Sequence, residues 1–430
     1  MTVVIVSDFA YVNGGAARIA VDTAVGVAGK GIRTIFFAAV GPVAAELTAA
    51  GVEVICTDQQ ECLNYPSRLK GAIVGLWNRK AESMMRSLLE TLSRDETVIH
   101  VHGWTKALSA SVFSPMADMG FRVFITGHDY FTICPNGGCY NYRSNEICTH
   151  EGLSLSCILT NCDKRSYAQK IYRCIRIAIQ THVLRRVRPD MIYISDFSRS
   201  IIKPRLPFVS KEHFVPNPVP APDKPLIIPE NPVYYLYIGR ISPEKGVDLF
   251  CRAVRELGLR AIVIGDGSER ERLEREYPDI DFTGWLSQEE WEPYLRRAKA
   301  FVFPSLWYET AGLVIPEVQL RAAVPAIVSD ACAGRNYIEE LYHAYTAHPN
   351  GQIKPDACAE RDYIEEGKTG LLFTSGSIDS LKEKLNRIES GEIGFFGDID
   401  RDRVDKERER YSLNNYTEKI CKVYKNHERK

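Results

Sequence analysis

Lys299-Ala300-Phe301-Val302-Phe303-Pro304-Ser305 leads into Trp307-Tyr308-Glu309-Thr310-Ala311-Gly312-Leu313-Val314-Ile315-Pro316-Glu317, and this junction decides the fold. The first stretch is short and apolar on both faces, as a buried parallel strand must be. Beyond Glu317, helix formers continue from Val318 to Ala323 until Val324-Pro325 stops them. The reading therefore expects Glu309 where a strand ends and a helix begins, with Glu317 eight residues on, about 12 Å further along the axis. A helix start offers unpaired N–H groups and a positive dipole end, which suits phosphate. A carboxylate at each end of that span suits a ligand with hydroxyls on both sides of a diphosphate. Thr310, Ala311, Gly312 and Leu313 would lie against it, Gly312 allowing close approach to the backbone.

Taken alone, the two glutamates also fit a strand-turn-helix with solvated carboxylates. Gly239-Arg240-Ile241-Ser242-Pro243-Glu244-Lys245-Gly246, about 70 residues upstream at another strand-to-helix junction, changes that reading. Together the two stretches resemble the donor-site signature of the retaining glycosyltransferases of family 4, the group 1 glycosyl transferases, of polysaccharide-biosynthesis type. The resemblance runs from the first strand to the last helix. It implies an α/β chain of GT-B architecture, with two Rossmann-like doubly wound parallel-sheet domains facing each other across a cleft. It also implies transfer of a sugar from a nucleoside-diphosphate sugar to a glycan or lipid-diphosphate-linked acceptor, with retention and without a metal or other cofactor. Arg240 and Lys245 would neutralise the leaving diphosphate, the guanidinium by bidentate contact and the ammonium as a point charge. Glu309 would bind sugar hydroxyls and Glu317 the ribose. Gly239, Gly265, Trp285 and Leu286 complete the expected donor site, Trp285 where a base would stack.

Length and composition agree with two domains. A chain of 430 residues exceeds one ordinary core, and 45% apolar with 25% charged residues is the balance of a globular protein. The expected division is an acceptor-side domain at 1–217, a proline-rich linker at 218–232, a donor domain at 233–400 and a segment at 401–430 whose helix returns to the first domain. Residues 1–230 carry 25 Lys+Arg against 20 Asp+Glu, and residues 231–430 carry 29 against 35, so the first half would face any anionic acceptor. No run of about 18 apolar residues occurs. The start, Met1-Thr2-Val3-Val4-Ile5-Val6-Ser7-Asp8, reads as a strand and not as a leader, which implies a cytoplasmic chain, peripheral on the inner face of the membrane if the acceptor is lipid-linked. Twelve cysteines then read as thiols or metal ligands.

In the first half, Asn13-Gly14-Gly15 follows strand one and precedes a helix from Ala16 to Val27; it fits close approach to an acceptor and equally a tight turn. A single helix is expected from about Lys70 to Leu92. The strand Arg122 to Thr126 ends in Gly127-His128-Asp129, and ligands collect outside the carboxyl ends of parallel strands. A loop histidine fits that position as well, but in relatives a histidine here contacts the donor sugar, so the resemblance places His128 in the catalytic site. Residues 130–163 show little periodicity and carry Cys134, Cys139, Cys148, Cys157 and Cys162. Cys134, Cys148, Cys157 and Cys162 could hold a structural Zn²⁺, but the spacings contain no C-x2-C knuckle, and buried free thiols are the preferred expectation. Lys164 to Arg188 reads as a basic amphipathic helix with Tyr167, Ile171, Ile175, Ala178 and Val183 near its apolar face. Arg165, Gln169, Arg173, Arg176 and Gln180 fall opposite, either as a solvated face or as a patch for an anionic membrane surface.

The second half contains Asp330-Ala-Cys-Ala-Gly-Arg-Asn-Tyr-Ile-Glu-Glu340, repeated at 356–366 with nine identities in eleven, which reads as a local tandem duplication. No serine or cysteine triad, catalytic metal cluster or nucleic-acid-binding module is present in the sequence. Two other readings stand beside sugar transfer: a nucleotide-sugar 2-epimerase on the same architecture, and a binding or scaffold protein with a vestigial site.

Overall fold

The computed structural model describes residues 1–220, 224–334, 370–392 and 401–425, the last without the side chains of 401–403. It divides into two compact units. One comprises Met1–Ser144, Cys148–Pro218 and Leu413–Lys430; the other comprises Asn145–Ile147 and Val219–Ser412. The second copy of the repeat, and the first from Arg335 onward, lie outside the described residues.

The first unit is built on β1 (Thr2–Phe9), β2 (Arg33–Val40), β3 (Glu53–Cys56), β4 (Thr97–Val101) and β5 (Arg122–Thr126). The short strand β6 (Tyr140–Asn141) precedes β8 (Asp190–Tyr193) and β9 (Glu212–Phe214), and the intervening β7 (Glu146–Ile147) is counted with the other unit. Seven strands form one sheet in the order β3-β2-β1-β4-β5-β8-β9. Its pairings are parallel throughout. Val3, Val4, Ile5 and Val6 are fully buried, as a central strand covered on both faces requires. Order reverses between β1 and β4, which makes that crevice the unit's switch point. The helix Leu413–Lys425 completes this unit: Tyr416, Ile420, Cys421 and Tyr424 join its core. Tyr416 Oη lies 2.8 Å from Thr23 Oγ1, and Thr417 Oγ1 occupies the space a Cβ at Gly26 would need.

The second unit holds β10 (Tyr234–Ile238), β11 (Ala261–Ile264), β12 (Asp281–Gly284), β13 (Ala298–Phe303), β14 (Ala326–Ser329) and β15 (Gly370–Phe373). Their order is β12-β11-β10-β13-β14-β15, again parallel, with the reversal between β10 and β13.

Three expectations are corrected. The single helix from 70 to 92 is two, Arg68–Leu76 and Arg79–Glu90. Asn78 breaks it, its side chain accepting from Ala81 N as an N-cap while donating to Ala107 O. The helix expected to begin near Ala311 and run to Ala323 covers only Val314–Gln319. Just beyond its end the backbone pairs with a crossing segment: Ile227 N donates to Arg321 O and Ala323 N donates to Ile227 O, both at 2.8 Å. The long helix, Tyr167–Val187, buries a different face from the one its periodicity marks, although Val183 is buried as expected. Lys170, Cys174, Ile177 and Gln180 are buried, while Tyr167 and Ile175 are exposed.

Candidate active site

The carboxyl ends of β10 and β13 flank the second unit's switch point, and each delivers one charged side chain to it. After β10, Pro243–Lys245 forms a single helical turn closed by Gly246 at φ +67°, which turns Lys245 back over the sheet. After β13, residues 304–313 form a loop whose Glu309 N–H donates to Ala331 O, while Ala333 N–H donates to Glu309 O. This backbone bridge, and not a helix start, fixes Glu309. Lys245 Nζ then donates to Glu309 Oε2 at 2.5 Å, with both side chains largely shielded. Trp307 Nε1 donates to the same oxygen at 2.8 Å and Ser305 Oγ at 3.4 Å. The Lys245 ammonium also lies 5.2 Å from the Trp307 ring centroid and 5.7 Å from that of Phe303. Burial pushes the Glu309 carboxyl up, but the Lys245 ammonium and the two donated hydrogen bonds outweigh it and hold the group below the ordinary carboxylate value.

Arg240 stands beside this pair without joining it. Its Nη2 donates to Glu244 Oε1 at 3.1 Å, and Glu244, buried, is also held by Ser242 Oγ at 2.8 Å. The guanidinium stays more than half exposed, free to swing onto an anion. Glu317 lies in the first turn of its short helix, largely buried. Burial raises its carboxyl against the pull of Arg321 and a hydrogen bond from Gln288, and Arg321 in turn donates to Gln288 Oε1 and to Glu317 O. Between the two glutamates, no hydrogen bond within the described residues engages the N–H groups of Ala311, Gly312 and Leu313. The glycines have internal causes. Gly312 sits at φ +66°, where a Cβ would fall 3.0 Å from Cys332 Sγ. Gly265 packs on Gly239, whose carbonyl oxygen occupies its would-be Cβ position. At the end of β12, Trp285 is 74% exposed and Leu286 packs on the core.

In the first unit, His128 follows β5 and its Nε2 lies 2.9 Å from Nδ1 of His102, which follows β4. His100 lies behind, its ring tilted against that of His102 with centroids 4.0 Å apart, and is held by Tyr424 Oη and Thr126 Oγ1, both at 2.6 Å. Burial drives His100 down to about 3 and His128 down to about 4, so this group is neutral near pH 7. The sign of the pH dependence follows. The unfolded chain takes up protons below about pH 6.5 while the folded chain does not, so stability is complete above that value and is lost as pH falls toward 4. His100 alone accounts for about 2 kcal/mol of loss by pH 5. Urea midpoints at pH 7.5 and 5 check this: the parent loses stability on acidification, and His100→Gln removes part of that slope. Equal slopes would show that His100 is not held neutral.

Asp8, at the end of β1, was not among the expected site residues; it accepts from the N–H groups of Lys106, Ala107 and Leu108 and so anchors the loop after His102. Gly14 caps the helix Gly15–Gly29 without a side-chain bond, and no atom lies within 4 Å of a Cβ built at Gly14 or Gly15, so neither glycine is demanded by packing. Cys157 and Cys162 line one small buried cavity with Cys134, Cys139 and Cys148. The cation the structure places there is the Lys170 ammonium, 3.3 Å from Cys157 Sγ and 3.2 Å from Cys162 Sγ. The Cys139 thiol, followed by the backbone N–H groups of Cys139, Asn136 and Gly137, holds the Cys134 thiol below its ordinary value against burial.

Comparison with known proteins agrees with this geometry. Residues 222–361 match the family model of the glycosyl transferases group 1. Sulfoquinovosyl transferase SQD2 of Arabidopsis thaliana is 31% identical over 170 residues, covering 39% of this chain and 27% of that protein. Lipopolysaccharide 1,6-galactosyltransferase of Salmonella typhimurium is 28% identical over 194 residues, covering 42% of this chain and 45% of that protein. Each match thus spans less than half of the relative's own length. Among solved structures, HepE of Anabaena in complex with UDP superposes with a TM-score of 0.62 at 14% identity, covering 99% of this chain and 100% of that one. Sucrose-phosphate synthase of Thermosynechococcus elongatus gives 0.62 at 15% identity, covering 99% and 98%. At these identities the likeness speaks for the fold. The chain has the two-domain GT-B fold, and its residues 222–361 carry a glycosyl transferases group 1 domain.

Proposed function

We propose that this chain is a retaining glycosyltransferase that moves a sugar from a nucleoside-diphosphate sugar to a glycan or lipid-diphosphate-linked acceptor. The observation that carries the proposal is the Lys245–Glu309 pair at the β10/β13 switch point, with Glu317 beyond three amides that no hydrogen bond among the described residues engages. In this reading the diphosphate enters beside Lys245, meets its ammonium and the N–H groups of Ala311, Gly312 and Leu313, and draws Arg240 away from Glu244. These donors stabilise charge as it develops on the leaving group, so their contribution is greater in the transition state than in the ground state. Glu309, released to the sugar, accepts from its hydroxyls, and Glu317 accepts from the ribose. Trp285 offers its exposed ring to the base. In the first unit, neutral His128 and the open backbone at Gly14–Gly15 are the proposed ligand contacts. The acceptor proton passes to the leaving phosphate oxygen, so no protein nucleophile is required. HepE was solved with UDP bound, and the Salmonella relative is named for sugar transfer to lipopolysaccharide. Both support a uridine donor and a lipid-linked glycan as first candidates.

The test is a panel of nucleotide sugars screened for protection against heat unfolding. At a hundredfold excess over Kd, a true donor stabilises by about 2.7 kcal/mol. The donor so identified should release its nucleoside diphosphate only when an acceptor is present, and the product should keep the donor's anomeric configuration. Release without acceptor and with an epimerised sugar would favour the epimerase reading; protection by no nucleotide sugar would favour a vestigial site.

A further inference from the structure

Three neighbouring helices of the first unit leave large apolar side chains exposed. Arg68–Leu76 buries its glycines: a Cβ at Gly71 would fall 2.1 Å from Cys62 O, and one at Gly75 would fall 2.3 Å from Tyr172 Oη. The opposite face presents Leu69, 71% exposed, and Ile73, 56% exposed. In Leu155–Leu159 the buried residue is Cys157, while Leu155 and Leu159 point to solvent. In Tyr167–Val187 Lys170 and Gln180 are buried beside Cys174, Ile177, Val183 and Leu184, and Tyr167 and Ile175 are left exposed. The shorter helices both lean on the long one, through Tyr172 Oη on Ala72 O at 2.8 Å and Tyr167 Oη on Ile158 O at 3.0 Å. With Leu63, which precedes the first helix, this region holds seven of the fourteen exposed large apolar side chains among the described residues. Chance scatter does not place six of the fourteen on three adjoining helices and a seventh just before one of them, and a water-facing surface gains nothing from such exposure.

We infer that this face docks on the surface of an anionic lipid bilayer. Charge selects the partner. Segments 63–76 and 155–175 expose Arg68, Lys70, Lys164 and Arg165; their single acid, Asp163, is buried and tied to Arg173 at 2.9 Å. Glu61 and Glu151 stand only at the margins. Leucine and isoleucine amid arginine and lysine is the composition of an interfacial membrane surface, with the apolar side chains in the acyl boundary and the cations among the headgroups. A second copy of the chain fits less well, because a symmetric contact would set this basic rim against itself. Arg173 and Arg176 are excluded from the docking set: Arg173 is tied to Asp163, and Arg176 donates to Thr105 O. The inference extends the lipid-linked acceptor reading above, and its test uses neither donor nor acceptor, so the two fail separately.

The experiment is vesicle co-sedimentation of the full chain with neutral phosphatidylcholine and with mixtures containing phosphatidylglycerol, at low and high salt. The parent should bind the anionic vesicles at low salt and lose most of that binding in high salt. Leu69→Ser with Ile73→Ser, and separately Leu155→Ser with Leu159→Ser, should each weaken binding about tenfold with net charge and melting temperature unchanged. Arg68→Glu with Lys70→Glu should weaken it on anionic vesicles. Serine variants that sediment like the parent would overturn the proposal. So would a parent that ignores anionic vesicles, or one that forms, without lipid, a dimer that the serine substitutions abolish.

Discussion

Replacing Lys245 with alanine is expected to lower turnover by about 10²–10³-fold, the range for removing one preorganised donor from a developing charge. The same change should destabilise the fold by about 3 kcal/mol, because it strips the shielded Glu309 carboxylate of its cation and leaves only the Trp307 and Ser305 donors. The two losses separate in a double variant. Lys245→Met with Glu309→Gln removes both charges, so the urea midpoint should return most of the way to the parent value. Activity should stay lost, since neither the phosphate cation nor the sugar-binding carboxylate is restored. If the double variant regains turnover along with stability, Lys245 is a structural partner of Glu309 and the site assignment is wrong.

Gly246→Ala should destabilise the protein by about 3–5 kcal/mol, among the largest effects of any single substitution. Gly246 holds φ +67°, and a Cβ there would lie 2.0 Å from Pro304 O, a backbone atom that cannot step aside. Pro304 opens the loop that carries Glu309, so relief of the clash would also pull the carboxylate away from Lys245. Gly376 is the control. It has φ +76° but nothing within 4 Å of a built Cβ, so Gly376→Ala should cost only the backbone term of about 1–2 kcal/mol. Thermal unfolding of the two variants side by side measures the difference. Equal shifts would mean that the Pro304 contact is not what demands glycine at 246.

The parallel sheets were legible in the sequence because both faces are covered. Runs such as Phe301-Val302-Phe303 and Ala326-Ile327-Val328 are apolar at every position, and they form β13 and β14. The motif residues Lys245 and Glu309 were legible too, but not their direct pairing, which depends on the backbone bridge from Glu309 to Ala331 and Ala333. Periodicity failed at Tyr167–Val187 because it assumes that polar residues need water. Here Lys170 finds thiols, and Gln180 accepts from Trp104 and donates to Phe131 O, so both are satisfied inside. Of the His100–His102–His128 cluster only His128 was picked out in the sequence, because the adjacency of the three belongs to the β4–β5 pairing. The backbone just past the helix end, at Arg321 and Ala323, pairs with Ile227, about ninety residues upstream, which no local window contains.

The central claim is that a nucleoside diphosphate binds beside Lys245, with its ribose on Glu317. Calorimetric titration of UDP, and then of the nucleotide sugar that protects best, into the parent, Lys245→Ala and Glu317→Gln tests it most directly. The account predicts saturable one-site binding to the parent. It predicts binding at least tenfold weaker in Lys245→Ala, which loses a charge-assisted phosphate contact. It also predicts weaker binding in Glu317→Gln, with the deficit absent when inorganic diphosphate replaces the nucleotide. Equal affinity of all three proteins for the nucleotide would contradict it.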